Sequence, residues 1–204
     1  MRFSIIIVSW NAVGYLKKFI PSVVATDYSD YEIIIADNAS TDGSAEWIKE
    51  NYPQIKVVEL DQNYGYCGGN NRGARHADGD VLIFLNNDVE VDSQLLTALR
   101  NCFEMDESIA AAQPKMLAYD EPEYFEYAGA AGGFLDLFGY PFCRGRVFDT
   151  LEKDEYQYNS FDDIFWASGA ALAIRKERFE WCGGFDEDFE FHMEEIDLCW
   201  RLWN

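Results

Sequence analysis

The chain has 204 residues, 49% of them hydrophobic and 16% aromatic, so it is long enough to bury the core of one globular domain. Its formal net charge is −21, because 37 acidic residues are balanced by only 16 basic ones. This charge argues against a nucleic-acid-binding surface, which needs basic groups to neutralise phosphates, and against electrostatic adhesion to an anionic bilayer. An anionic small ligand is still compatible, because a bound divalent cation can reverse the field locally.

The cysteines and the lengths of the apolar runs indicate in which cellular compartment the protein resides. The five cysteines are odd in number and widely spaced, and no Cys-x-x-Cys pair is present. This argues against a disulfide framework or a structural zinc site and favours a reducing compartment. The apolar run near the N-terminus is about six residues, too short for a signal peptide, and no run approaches the roughly 20 residues of a membrane span. We predict a cytoplasmic protein with no transmembrane segment in this chain; peripheral attachment at the inner face of the membrane is left open.

The first half of the chain alternates predicted strands with predicted helices. Short β-branched runs predict strands at Phe3–Val8, Glu32–Ala36, Lys56–Leu60 and Val81–Leu85. Apolar residues at helical spacing predict helices at Tyr15–Val24, Ala45–Asn51, Gly69–Ala77 and Leu95–Met105. Asp92 and Ser93, both residue types that cap helices, precede the last of these. The alternation predicts βαβ units and an α/β fold with a mostly parallel sheet.

The second half reads differently. Residues 118–163 have no sustained period and are expected to form a long loop region or small hairpins over the edge of the sheet. Phe165–Arg175 is predicted as a strand with small residues in its middle, and a helix is predicted from Glu194 onward. That helix has no stop signal before Asn204, so we expect the chain to end inside a longer natural protein.

Polar residues follow three of the predicted strands. Ser9 and Asn11 follow the first, Asp37 and Asn38 end the second, and the fourth runs into Asn86, Asn87 and Asp88. The carboxyl ends of parallel strands are where ligands bind in such sheets, although each residue alone is equally explained as a turn or cap former. A carboxylate at the position of Asp88 can hold Mg²⁺ or Mn²⁺, which complete their shells with phosphate oxygens.

Two further segments are chemically suggestive but ambiguous. The segment NYGYCGGNNRGA, residues 63–74, would let a backbone approach an anion, but it lacks the dinucleotide-binding spacing and alone is better explained as a flexible turn. On the last helix Glu194 and Asp197 share a face, and Glu195 lies about 100° round. One of these carboxylates could be a general base, but a solvated acidic helix start is the simpler reading of the spacing.

Taken together, these motifs resemble the family 2 glycosyltransferases, and more narrowly the bacterial rhamnosyltransferase-like branch. The segments that carry the resemblance cover essentially the whole chain, in the family's order and spacing: SIIIVSWNAVGYL, IIIADNASTDGS, NYGYCGGNNRGA, DVLIFLNNDV, ASGAALAIRKE and WCGGFDEDFEFHMEEIDLCWRL. The resemblance implies the GT-A fold, a Rossmann-like single domain with helices on both faces of the sheet. It also implies a nucleotide-sugar-binding half at 1–114 and an acceptor-side half, irregular in part, at 115–204.

The resemblance also implies roles for individual positions. The positions matching those that hold or line the nucleotide are Val8, Ser9, Asn11, Asp37, Asn38, Asn63, Gly65, Asn70, Asn86 and Asn87. Asp88 matches the metal ligand that bridges Mn²⁺ or Mg²⁺ to the donor diphosphate; Asn86 replaces an Asp, which implies weak metal binding without donor. Glu195 matches the catalytic base, with Glu194 and Asp197 as second choices. Ser168 and Gly169 would lie beside the donor sugar.

The expected function is therefore inverting transfer of a sugar from a nucleotide-diphosphate sugar to a hydroxyl of a saccharide or lipid-linked acceptor. The resemblance suggests a dTDP-rhamnose-like donor or a UDP-sugar. A binding module without turnover is one alternative. A sugar-phosphate nucleotidyltransferase is another, but it would need a basic glycine-rich loop after the first strand, and no basic residue occurs there before Lys17. The donor base, the acceptor and the oligomeric state are left open by the sequence.

Overall fold

The computed structural model describes residues 1–189 and 192–204. The strands are β1 Phe3–Ser9, β2 Tyr31–Asp37, β3 Lys56–Glu59, β4 Val81–Leu85, β5 Ala111–Ala112, β6 Gly133–Leu135, β7 Pro141–Cys143, β8 Arg146–Val147, β9 Thr150–Leu151 and β10 Ala171–Arg175. The helices are α1 Val13–Val24, α2 Ser44–Asn51, α3 Gly65–Ala74, α4 Leu95–Met105, α5 Lys176–Trp181 and α6 Glu194–Trp203. No described helix is both long and apolar enough to cross a membrane.

The central sheet has six strands in the order β3-β2-β1-β4-β10-β5. The four strands from the first half of the chain pair in parallel, and β10 inserts antiparallel between β4 and β5. Ile5 and Ile7 of β1 join a core cluster with α1, α2 and α4, whereas Ile6 joins a second cluster with α3, α5 and α6. Because successive strand residues face opposite sides, this confirms the predicted mostly parallel sheet with helices on both faces.

Two predicted elements have different bounds. The glycine-rich helix begins at Gly65 rather than Gly69, because Asn38, directly after β2, accepts a hydrogen bond from Tyr64 N and donates to Gly65 O. The predicted strand at Phe165–Arg175 is regular only over Ala171–Arg175. The backbone before it is diverted: Trp166 bridges to Gly133 in another hairpin, and the residues that follow form a turn. Asp92 and Ser93 also precede the α4 cap, which is Gln94, with no side-chain capping bond.

The irregular region contains two small hairpins, as predicted. β6 pairs with β7 and β8 pairs with β9, both antiparallel. Phe125, Ala130 and Trp166 from this region join the same core cluster as β10 and α6. The region therefore packs on one face of the sheet, the same face on which α6 packs.

Helix α3 lies unusually close to the sheet, and glycines make this possible. A Cβ added at Gly73 would stand 2.7 Å from Ile6 Cγ2 and 3.3 Å from Ala36 Cβ. A Cβ added at Gly69 would stand 2.9 Å from Val8 Cγ1. Both neighbours of Gly73 are on central strands that cannot yield easily, so the glycines set the height of α3 above β1 and β2.

Gly73→Ala is expected to lower the free energy of unfolding by about 1–3 kcal/mol, because it overpacks this contact. Urea denaturation measures the change. Gly14→Ala is the matched control, since Gly14 lies in α1 and an added Cβ would meet nothing within 4 Å. The control should be neutral or stabilising, because alanine favours helix over glycine by about 1 kcal/mol. Equal stability of the two variants would contradict the close packing of α3.

Candidate active site

The carboxyl edge of the sheet brings together segments that are far apart in sequence. Ser9 at the end of β1 pairs in register with Asp37 at the end of β2, and β4 lies on the other side of β1. The antiparallel strand β10 begins at this same edge, where Asn86 N donates to Ala170 O at 3.0 Å. The three polar strand ends and the 168–170 turn therefore line one edge.

Asp37 and Ser9 supply buried polar atoms whose bonding capacity is unused. The Asp37 side chain is only 3% exposed; its Oδ2 accepts from Ser40 N at 3.0 Å, while Oδ1 has no partner among the described residues. Ser9 is fully buried, and within the same part of the chain its Oγ also has no partner. Buried polar atoms are nearly always hydrogen-bonded, so these two indicate a place for a ligand or for ordered water.

The other predicted nucleotide residues at β1 and β2 shape the backbone. Asn11 has φ 49° and its Oδ1 accepts from Thr41 N at 2.8 Å, which ties the two loops together. The Asn38 amide is 2% exposed, and Nδ2 donates to Gly65 O at 2.9 Å. Asn63 Oδ1 accepts from Gly65 N at 2.9 Å. These side chains hold the start of α3 at the edge.

Two predicted residues, Val8 and Asn70, lie against or on α3. Val8 of β1 is in contact with α3 at Gly69, as described above. Asn70 is 1% exposed, and its Nδ2 has no partner in the described ranges. An amide donor of this kind can serve a ligand at the edge, or hold the neighbouring phenol of Tyr66.

Asp88 is exposed to solvent, three residues beyond the end of β4. Asn86 and Asn87 are half-buried and Asp88 is exposed. Within residues 1–189 and 192–204 there is no cluster of three or more His, Cys, Asp or Glu side chains that could hold a metal. One carboxylate beside two amide oxygens is a set of hard oxygen ligands that fits Mg²⁺ or Mn²⁺, with water and phosphate oxygens completing the shell.

The start of α6 carries the acidic group that sequence spacing could not resolve. Glu194 is 8% exposed and Glu195 is half-buried, and Oε2 of each has no partner in the described structure. Burial raises the pKa of Glu195, with a further rise from the neighbouring Glu194 carboxylate; backbone hydrogen bonds and His192 oppose the shift. A desolvated carboxylate with a free oxygen is suited to accept a proton.

Asp197 is placed differently. Its Oδ2 accepts from Arg201 Nε at 2.9 Å, one helical turn away. Arg201 Nη1 also donates to the carbonyl oxygens of Cys182 and Gly184, at 2.7 and 2.8 Å. Asp197 therefore holds an arginine that fastens α6 to the preceding turn, whereas Glu194 and Glu195 each have a buried oxygen without a partner among the described residues.

Tyr66 connects the acidic pair to the donor edge. Its hydroxyl donates to Gly169 O at 2.6 Å. Its pKa is raised well above the ordinary value by burial and by the Glu194 and Glu195 carboxylates. Ser168, on the same turn, donates through Oγ to Ala128 O at 2.8 Å, and its N donates to Gln113 Oε1. The turn beside Asn86 is thus fixed from three sides.

The family model for "Glycosyl transferase family 2" matches residues 4–179. The chain belongs to glycosyltransferase family 2. It is 31% identical over 98% of its length to the O-antigen biosynthesis protein RfbC of Myxococcus xanthus, of which it spans 16%. It is 26% identical over 97% of its length to an N-acetylglucosaminyl-diphospho-decaprenol L-rhamnosyltransferase of Mycobacterium tuberculosis, spanning 69% of that protein.

A third relative supports the narrower resemblance. The chain is 28% identical over 97% of its length to the rhamnosyltransferase WbbL of Escherichia coli, of which it spans 75%. Two of the three relatives are thus named as rhamnosyltransferases, which confirms the similarity to that branch. The coverage of relatives is uneven, and this family 2 domain corresponds to a small part of the Myxococcus protein.

Solved structures establish the fold of this family 2 domain. GalNAc-T7 with UDP, GalNAc and Mn²⁺ superposes with a TM-score of 0.74 at 20% identity, covering 100% of this chain and 40% of that one. The mannosyltransferase PcManGT of Pyrobaculum calidifontis, with GDP-Man and Mn²⁺, gives 0.69 at 18% identity, covering 98% of this chain and 51% of that one. The expected GT-A fold is confirmed.

Sequence reasoning missed two residues in this family 2 domain. Tyr66 and Gln113 hold the 168–170 turn, and neither was predicted as part of the site. An aromatic residue inside a glycine-rich segment was the available signal for Tyr66. Gln113 had none, since its partner Ser168 lies 55 residues away.

Proposed function

We propose that this family 2 domain is the catalytic unit of an inverting, metal-dependent glycosyltransferase. It would move a sugar from a nucleotide-diphosphate sugar to a hydroxyl group of a saccharide or a lipid-linked acceptor. The observation that carries the proposal is the desolvated carboxylate of Glu195, which has an oxygen without a partner among the described residues; its charge acts on Tyr66, which is bonded to the 168–170 turn at the sheet edge. A proton acceptor beside an anion-binding edge is the arrangement that this transfer needs.

The donor half is proposed to be residues 1–114. Asp37 and Ser9 offer unused buried oxygens, and Val8, Asn11 and Asn70 line the same edge. Asn38, Asn63 and Gly65 would position the start of α3 against the nucleotide. Asn86 and Asn87 would contact the diphosphate end. Similarity to rhamnosyltransferases favours a dTDP-rhamnose-like donor, while UDP-sugars are the alternative.

The metal would bind at Asp88, and either Mn²⁺ or Mg²⁺ suits its oxygen ligands. Mn²⁺ in the two solved structures supports this choice of cation. Bound there, the ion would stabilise the negative charge that develops on the leaving diphosphate. Because Asp88 is a single carboxylate, we expect the metal to bind well only together with the donor.

The acceptor half is proposed to be residues 115–204. Glu195 would accept the proton of the acceptor hydroxyl as that oxygen attacks the anomeric carbon, opposite the leaving diphosphate. A single displacement inverts the anomeric configuration and needs no covalent enzyme nucleophile. Ser168 and Gly169 lie in a turn fixed beside Asn86, where a small side chain and a glycine would leave room for the donor sugar.

Of the two kinds of acceptor, we propose the lipid-linked one. The Mycobacterium tuberculosis relative is named for a decaprenol-linked acceptor, and that similarity covers 97% of this chain. An acceptor of this kind sits in a membrane, so the enzyme would work on the cytoplasmic side, attached peripherally.

Asp37→Asn tests the donor half. The variant keeps an oxygen for Ser40 N but replaces the free acceptor with an NH₂ donor, which would repel the N–H or O–H of a nucleotide. The dissociation constant for the preferred nucleoside diphosphate should rise about tenfold or more in calorimetric titration of UDP, dTDP and GDP with Mn²⁺.

Asp30→Asn is the control for this variant, because Asp30 is an exposed aspartate at the opposite edge of the sheet. It should bind nucleotide like the parent. Unchanged binding by Asp37→Asn would remove Asp37 from the proposed donor site. Turnover of the donor, measured as release of nucleoside diphosphate, separates an enzyme from a binding module.

A further inference from the structure

An exposed apolar ridge stands on the acceptor side of the molecule. We define the aromatic ridge as Leu137, Phe138, Tyr140 and Phe142 of the β6–β7 hairpin together with Trp200 and Trp203 of α6. All six side chains are more than half exposed, and Leu137 and Phe138 at the hairpin tip reach 95% and 82%. A group of large apolar side chains that is exposed to this degree is typical of an interaction site in a folded protein.

The tip of the hairpin is held in one conformation that turns its apolar side chains outward. Asp136 Oδ1 accepts from Phe138 N at 2.8 Å and from Tyr140 N at 2.9 Å. Gly139 N donates to Asp136 O, and Asp136 N donates to Tyr140 O, both at 3.0 Å. Asp136 is the only charged side chain between residues 133 and 142; it is exposed, and its Oδ1 is bonded to the loop backbone.

The hairpin and α6 form one surface through Phe165. Its ring stacks on Trp203 at 6.0 Å and meets Trp200 edge-on at 5.6 Å. Its backbone N donates to Gly133 O in β6 at 2.8 Å. Phe165 therefore links the helix that carries Glu195 to the base of the hairpin that bears Leu137 and Phe138.

The order of residue types along the ridge distinguishes a bilayer from a protein partner. Leu137 and Phe138 are the most exposed side chains of the ridge, while Tyr140, Trp200 and Trp203 are less exposed, which is the arrangement of apolar anchors and interfacial aromatics at a membrane surface.

We propose that the aromatic ridge inserts into the surface of a lipid bilayer and so places the Glu195 side of the domain next to a membrane-embedded acceptor. This inference rests on the proposed function for its purpose, but the binding itself does not require transfer. The net charge of −21 means that attachment is apolar rather than electrostatic. Anionic lipid should therefore weaken it, because the protein and the surface repel one another.

Vesicle flotation of the whole chain tests the proposal. The parent should float with phosphatidylcholine vesicles, and a smaller fraction should float when phosphatidylglycerol is added. The double variant Leu137→Ser/Phe138→Ser should lower the partition coefficient about tenfold or more, since two large apolar groups are removed. The matched control is Tyr15→Ser/Met105→Ser, two exposed apolar residues on α1 and α4, which pack on the other face of the sheet. It should partition like the parent.

The proposal would be overturned by no flotation of the parent, by equal flotation of parent and ridge variant, or by stronger flotation with phosphatidylglycerol. A parent that sediments as a dimer, with the ridge variant a monomer, would overturn it in favour of a second copy. Nucleoside diphosphate titration of the ridge variant keeps the two ideas separate. If the ridge variant still binds nucleoside diphosphate but no longer floats, the result supports the ridge as the membrane contact. If the parent itself binds no nucleoside diphosphate, the proposed function fails, but the flotation result still holds.

Discussion

Glu195→Gln is expected to lower the rate of sugar transfer by about two to four orders of magnitude while leaving nucleoside diphosphate binding unchanged. The amide keeps the size of the side chain but cannot accept the proton of the acceptor hydroxyl. Since Glu195 lies on α6 rather than on the donor strands, its loss should not affect the donor. Release of nucleoside diphosphate in the presence of acceptor measures the rate, and calorimetry measures donor-site binding.

Asp197→Asn is the matched control, one turn along the same helix. This change weakens the bond to Arg201, so it should lower stability modestly and the rate much less than Glu195→Gln does. Glu194→Gln should be intermediate, because Glu194 acts on Glu195 through its charge. Full activity of Glu195→Gln, or an Asp197→Asn variant that is as inactive, would reassign the base.

The dependence of the transfer rate on pH also tests Glu195 as the base. Burial raises the pKa of Glu195, so the carboxylate is protonated and inactive below that pKa, and the rate should rise as pH passes upward through it. The groups that face Glu195 are Glu194, His192, Tyr66 and Cys199. Glu194→Gln removes the charge that raises the pKa, so the acid midpoint should move to lower pH in this variant. An unmoved midpoint would show that another group controls the profile.

Asp88→Ala is expected to abolish the increase in nucleoside diphosphate affinity that Mn²⁺ confers, a loss of about tenfold or more. The other oxygens near Asp88 are amides of Asn86 and Asn87, which are weaker ligands for a divalent cation than a carboxylate. Titrations of UDP, dTDP and GDP, each with and without Mn²⁺, give the increment directly and also identify the preferred base.

Glu90→Gln controls for the loss of one negative charge, because Glu90 is an exposed acid two residues further along. Its Mn²⁺-dependent increment should match that of the parent. A parent that binds diphosphate equally well without metal would remove the metal from the proposal. Absence of binding to all three diphosphates would remove the donor site.

Much of the donor half could be predicted because its determinants are local. The strand at Val81–Leu85 is apolar on both faces, and the structure buries all five residues in a parallel sheet. The period of α1 predicted the stripe that packs on the sheet through Leu16, Ile20 and Val23. Polar residues directly after these strands must lie at the carboxyl edge once the strands are parallel, so the placement of Asp37 and Asp88 followed from the pattern.

The details of the site depended on contacts distant in sequence. Helix α3 begins at Gly65 because Asn38, directly after β2, donates a hydrogen bond to Gly65 O, and these two residues are 27 positions apart in the sequence. The predicted strand before Ala171 is a turn because Ser168 and Gly169 bond to Gln113 and Tyr66. Local propensity favoured strand for these small residues, and tertiary hydrogen bonds overrode it.

What the sequence alone determined about this protein is its family, its layered α/β architecture and the set of polar residues at one edge, since hydrophobic period and motif spacing encode them directly. Only the tertiary structure decided which carboxylate of α6 is desolvated with a free oxygen and which is bound to Arg201. It also decided that the aromatic segment near residue 138 projects outward. Burial, pKa and exposure depend on neighbours brought together by folding, and spacing along the chain does not specify those neighbours.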